Sequence, residues 1–178
     1  MSTSSVILQR IILGLLAIAP MSGYDLKRHF DSSINYFWSA DKAQIYRTLS
    51  ALVTDGLVEV RTVPGTAGPD RQEHHITPAG RAALHEWLIS DLDRQPERHA
   101  FLARVFFAAD LDPADAATLL ERRRQATRTM LTNLEAIRDA EPEPADRGAR
   151  LRLATLDNGL RHVRTELAWL DDLEKELL

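Results

Sequence analysis

The stretch QIYRTLSALVTDGLVEV, residues 44–60, changes its hydrophobic period in the middle. Up to Asp55 the apolar side chains recur at helical spacing, at Ile45, Leu49, Leu52 and Val53. Beyond Gly56 the run Leu57-Val58-Glu59-Val60 reads as a strand. A glycine between the two patterns suits the left-handed backbone that ends a helix. On a helical wheel the apolar stripe faces a core, and the other side carries Ala43, Gln44, Arg47, Ser50, Ala51 and Thr54, with Tyr46 on the flank.

Around this helix the pattern predicts two more before it and a hairpin after it. A first helix runs from about Ser4 to Ala19 and stops at Pro20. Ser22 caps a second, GYDLKRHFDSSI, with apolar Tyr24, Leu26 and Phe30. Asn35 to Trp38 connects, and Ser39 is the expected cap of the third helix, Ala40 to Thr54 or Asp55. Strands Leu57–Val63 and Gln72–Thr77 flank the turn-rich PGTAGPDR. Thr77-Pro78 opens a fourth helix to about Asp91. Three helices and a hairpin describe a winged helix-turn-helix.

The second half reads as helical throughout. HAFLARVFFAA has an apolar face at Phe101, Leu102, Val105 and Phe106, and Asp112-Pro113 starts a long helix to about Ala140. EPEPADRG interrupts it as a linker, and one helix runs from Asp146 to the end. Leu153, Leu156, Leu160, Val163, Leu167 and Leu170 form a heptad seam along that helix. The seam packs against a second chain or against the 114–140 helix of its own; the spacing fits both. The expected class is mainly α with a small β-hairpin wing. Residues 1–92 form a winged helix-turn-helix DNA-binding domain and residues 93–178 a helical dimerisation domain.

Composition narrows the function. The chain has 178 residues and no cysteine, which excludes disulfides and thiolate zinc sites. Its net charge of −4 counts against an extended DNA footprint, although a small basic patch can act beside an acidic domain. The apolar run Ile11–Ala19 is too short to span a bilayer, and it is no secretory signal, since Met1–Ser5 has no charged side chain and Arg10 sits inside the apolar stretch. A buried first helix is expected, with no membrane partner. His74 and His75 are strand neighbours that point to opposite faces, so no metal site is expected. No nucleophile, oxyanion loop or phosphate-binding glycine pattern accompanies Asp70 and these histidines, so neither catalytic residues nor a cofactor are expected. Arg122-Arg123-Arg124 splay around a helix as a solvated face or an auxiliary DNA contact. Trp87, Phe101, Phe106, Phe107 and Trp169 are either core and dimer contacts or the wall of a pocket for a small aromatic or apolar effector.

The third helix is the candidate site. Its small residues allow close backbone approach to a major groove, where Gln44 suits an adenine edge and Arg47 a guanine or a phosphate. Ser50 shares that face, Tyr46 suits the sugar-phosphate wall, and Lys42 is placed for a phosphate near the helix start. Arg71 is expected at or near the wing tip, touching phosphate or minor groove. An ordinary solvated helix face has the same composition. The competing function is a helical interaction module whose winged helix contacts a protein partner.

Three blocks resemble the PadR family of transcriptional regulators. IILGLLAIAPMSGYDLKRHF resembles the family opening: an apolar helix, a break, then small-Gly-Tyr-Asp/Glu-Leu. FWSADKAQIYRTLSALVTDGLVE resembles the recognition helix, with Tyr46 in the family's tyrosine position, and PDRQEHHITPAGRAALHEWL the return strand and Thr-Pro-x-Gly entry to the next helix. The second half resembles the larger helical dimerisation domain of the virulence-activator-like branch. The resemblance implies a cytoplasmic homodimer on a near-palindromic operator, usually a repressor, with double-stranded DNA as partner and release by a small-molecule effector as an option. The wing departs from the family: beside Arg71 it carries Asp70 and Glu73.

Overall fold

The computed structural model describes residues 3–64, 70–92 and 99–177. The chain divides into two compact units, Met1–Asp93 and Arg94–Leu178. The first contains α1 (Thr3–Ile18), α2 (Gly23–His29), α3 (Lys42–Thr54), strands β1 (Val58–Val63) and β2 (Arg71–Ile76), and α4 (Pro78–Ile89). The second contains α5 (Ala100–Phe106), α6 (Pro113–Ala140) and α7 (Arg147–Leu177). This is the mainly helical architecture with a β-hairpin wing that the sequence pattern predicts.

In the first unit α1 packs against α3, α4 and β2. Ile12, Leu13, Leu16, Leu26, Phe30, Ile45, Leu52 and Val58 are fully buried together, each such side chain contributing roughly 1.5–3 kcal/mol by leaving water. Ser22 caps α2: its Oγ accepts from Asp25 N at 3.1 Å and donates to Asp25 Oδ2 at 2.7 Å. The helix expected to continue to Ile34 widens instead into a π turn, Phe30–Ile34. Ser33 Oγ donates to His29 O at 2.8 Å, and such back-bonding by serine loosens a helix. Phe30 and Ile34 nevertheless face the core.

The third helix is capped by Asp41, not by Ser39. Asp41 Oδ1 accepts from Gln44 N at 2.7 Å, and Gln44 Oε1 accepts from Asp41 N at 2.9 Å. This is the reciprocal capping box that an acid followed three residues later by glutamine can form. At the other end Gly56 has φ 69°, Gly56 N donates to Val53 O at 3.1 Å, and Leu57 N donates to Leu52 O at 2.9 Å. The chain therefore leaves α3 in a Schellman turn and enters β1 at once.

β1 and β2 are antiparallel, in register from Val58↔Ile76 to Val63↔Arg71. The outer edge of β2 is held by the α1–α2 connection: His74 N donates to Met21 O at 2.8 Å and Met21 N to His74 O at 3.3 Å. Thr77 caps α4 and also donates to Gly56 O at 2.8 Å, tying the end of the wing to the end of α3.

In the second unit α6 pairs with α7 over Leu120, Leu134, Leu156, Leu160 and Leu170, all buried. Leu153, Val163 and Leu167 are half-buried. Three members of the heptad seam are thus covered without a second chain. The basic run is not a solvated face. Arg124 is buried and bonds Glu121 (2.7 Å), Asp171 (3.2 Å) and Glu174 (2.6 Å), which raises its pKa further. Arg123 bonds Glu166 at 2.6 and 2.8 Å, and only Arg122 is exposed. Periodicity alone could not show this, because Glu166, Asp171 and Glu174 lie on the other helix. α5 leans on α7 through Phe101, edge-on to Trp169 at 6.2 Å. Phe106 and Phe107 are exposed, and half-buried Trp87 belongs to the first unit. Among the described residues no helix is long and apolar enough to cross a membrane, and no group of metal-ligand side chains occurs.

Candidate nucleic-acid interface

Burial of Ile45, Thr48, Leu49 and Leu52 sets which way α3 faces. At 100° per residue, Ala43, Arg47, Ser50 and Thr54 stand opposite that core stripe. Gln44 and Ala51 fall on one flank, Lys42 and Tyr46 on the other. Lys42, Ala43, Gln44, Tyr46, Arg47, Ser50 and Thr54 are all exposed.

The central strip is low and cationic. Ser50 Oγ donates to Tyr46 O at 3.1 Å and Thr54 Oγ1 to Ser50 O at 3.0 Å, so both hydroxyls fold back onto the helix. Arg47 stands one turn before Ser50 on the same face, with no ion pair among the described residues. On the Tyr46 flank, Lys42 Nζ lies 5.7 Å from the tyrosine ring centroid. The ring covers Gly23 so closely that a Cβ there would come within 2.9 Å of its carbons. The glycine of the Gly-Tyr-Asp block is therefore the seat of Tyr46. On the other flank Gln44 is committed through Oε1 to the cap of its own helix, which leaves only its amide nitrogen for another partner. Bidentate pairing with adenine requires that cap to open.

Arg71 begins β2, opposite Val63 and next to the hairpin connection, whose residues 65–69 lie outside the described residues. It is ion-paired with Glu73, whose other oxygen stands 3.5 Å from His75 Nε2. Arg61, which the sequence reading missed, lies opposite Glu73 and is ion-paired with Glu59. Alternation along β1 was the signal: Glu59, Arg61 and Val63 share one face with Arg71, Glu73 and His75. His74 lies on the other face, where burial pushes its pKa down while its Nδ1 contact with Met21 O, at 3.3 Å, opposes the shift. Asp25, at the start of α2, is held below the usual carboxylate range, chiefly by the Ser22 hydroxyl.

A capped helix with an open cationic face, flanked by a hairpin whose root is tied to it, defines a DNA-binding winged-helix regulator. The comparisons with known proteins agree. Residues 12–86 match the "Transcriptional regulator PadR-like family" and residues 97–177 match "Virulence activator alpha C-term". The Mycobacterium tuberculosis protein "Probable transcriptional regulator Rv1176c" is 31% identical over 183 residues, covering 96% of this chain and 97% of that relative. Bacillus subtilis PadR in complex with operator DNA is 25% identical with a TM-score of 0.83, covering 97% of this chain and 99% of that one. The Vibrio cholerae virulence activator AphA is 29% identical with a TM-score of 0.75, covering 96% and 97%. The chain belongs to the PadR-like family of transcriptional regulators, a family whose members are in general not enzymes.

Proposed function

We propose that the protein is a homodimeric repressor that places α3 of each protomer in successive major grooves of a near-palindromic operator. The observation that carries this reading is the exposed Arg47, free of ion pairs among the described residues, at the centre of a strip of small side chains. Arg47 reads a base edge, Ser50 and Ala43 admit the groove wall, and Lys42 and Tyr46 hold a phosphate. Gln44 contributes its amide nitrogen, and Arg71 adds a sequence-independent contact from the wing. The solved complex of Bacillus subtilis PadR with operator DNA supports the operator-binding reading. Residues 1–92 are the reading domain and residues 93–178 the dimerisation domain, acting in the cytoplasm. A small aromatic or apolar effector would release the operator, with Phe101 and Trp169 as its aromatic wall.

The test is operator binding by the wild type and Arg47→Ala across a salt series. Arg47→Ala is expected to lose about 1–3 kcal/mol of specific binding and little non-specific binding. Equal losses on operator and random duplex would make Arg47 a phosphate contact. An unchanged affinity would remove it from the site.

A further inference from the structure

We propose that the groove between α1 and α3 seats a sugar-phosphate strand, so that the first turns of α1 form a further DNA-contacting element. This rests on the DNA-binding reading above and adds a surface to it.

The groove has a volume of about 380 Å³. Ser5 and Gln9 of α1 line one side, Gln44 and Arg47 of α3 the other, and Trp38 and Ser39 of the connection close one end. Among the described residues no carboxylate lines it, and Arg47 is its charge. Hydroxyls and amides beside an aromatic face are the donors and the apolar surface that a deoxyribose phosphate meets, while Arg47 at the rim keeps its guanidinium for the base edge.

Size decides which part of the duplex reaches this place. The major groove is about 12 Å wide, and a helix with its side chains is about 10–12 Å across, so α3 alone fills it. A helix packed on α3 runs about 8–10 Å from its axis and cannot enter the same groove. α1 is packed on α3. Whatever end of α1 faces the duplex therefore lies over a bordering backbone. The groove opens on the Gln44 flank, and Lys42 and Tyr46 occupy the opposite one. The recognition helix is thus gripped on two sides: Lys42 and Tyr46 take one strand, and Ser5, Gln9 and Ser39 take the other.

The test adds a charge where the strand should lie. In the full chain, Gln9→Lys is titrated with a random-sequence duplex from 50 to 200 mM salt. One new phosphate contact should steepen the slope of log affinity against log salt by about 0.9. Binding at 100 mM should tighten about fivefold, the size of one charge pair in a well-solvated site. Ile18→Lys places the same charge about 13 Å further along α1, beyond the Debye length of about 10 Å, and should change neither quantity. Ser5→Lys, at an exposed position, repeats the test if thermal melting shows Gln9→Lys to be misfolded. A wild-type slope in both groove variants overturns the groove while leaving the α3 reading intact. An equal gain from Ile18→Lys also overturns it, since net charge alone would then explain the effect. A wild type that binds no duplex at any salt concentration overturns both readings.

Discussion

Glu73 sets the limit on what the wing can give to DNA. Its side chain is little exposed, it holds Arg71, it stands across the ladder from Arg61, and its second oxygen faces His75. Exposed ion pairs are worth about 0–1 kcal/mol, so a phosphate can open the Arg71 pair, but the carboxylate left behind repels it. Glu73→Gln is expected to tighten binding about threefold to fivefold on operator and random duplex alike, by fluorescence anisotropy. No gain would mean that Arg71, freed of its carboxylate, makes no contact with the duplex. On the opposite face of the strand, burial disfavours the charged form of the His74 ring and holds its pKa below the ordinary imidazole value. Its folded pKa is below the unfolded value, so the unfolded chain binds more protons as pH falls. Stability is therefore full above the ordinary imidazole value and is lost progressively below it. His74→Gln should flatten the decline in melting temperature between pH 7 and pH 5. A decline as steep as in the wild type would place the acid sensitivity elsewhere.

At the scale of elements, α3 is defined by its two ends. The Asp41–Gln44 box starts it and the Schellman turn at Gly56 ends it, so the strip from Ala43 to Thr54 is held at a fixed length and angle to the wing. Asp41→Ala should destabilise the fold by about 0.5–2 kcal/mol in thermal or urea unfolding. It also frees Gln44 Oε1, so operator affinity per folded molecule should hold or rise if Gln44 reads adenine. A fall in that affinity would show the box to be part of the bound geometry. Local pattern read both ends of α3 unequally. Gly56 stood out because only one residue type takes that backbone so readily. Ser39 and Asp41 are both good caps in range, and the structure takes Asp41, whose partner three residues on, Gln44, closes a reciprocal box.

At the scale of the molecule the question is how two copies associate. Leu156, Leu160 and Leu170 are buried within their own unit, whereas Leu153, Val163 and Leu167 keep part of their surface. The wild type is expected to sediment as a dimer at micromolar concentration. Leu160→Asp buries an unpaired charge in the α6–α7 layer and should unfold the second unit, seen as lost helical circular dichroism. Leu167→Asp should keep most of that helix signal and yield monomers with weakened operator binding, since a single α3 reads only a few base pairs. A folded Leu167→Asp dimer would move the interface off the seam.

Taken alone, the amino-acid order was enough for everything that depends on neighbours in sequence. The change of period at Gly56, the Ser22 and Thr77 caps and the apolar stripes of α1 and α3 each follow from spacing and backbone preference. The winged helix-turn-helix and its exposed strip came with them. The tertiary structure alone decided what depends on distant partners. Tyr46 lies over Gly23, Arg123 and Arg124 are consumed by carboxylates of α7, and Gln9 and Trp38 meet Arg47 across a groove. Such pairings join residues many positions apart, and no period in a single segment encodes them. A heptad stripe states that a helix will be covered; only packing states which of its residues the chain covers by itself.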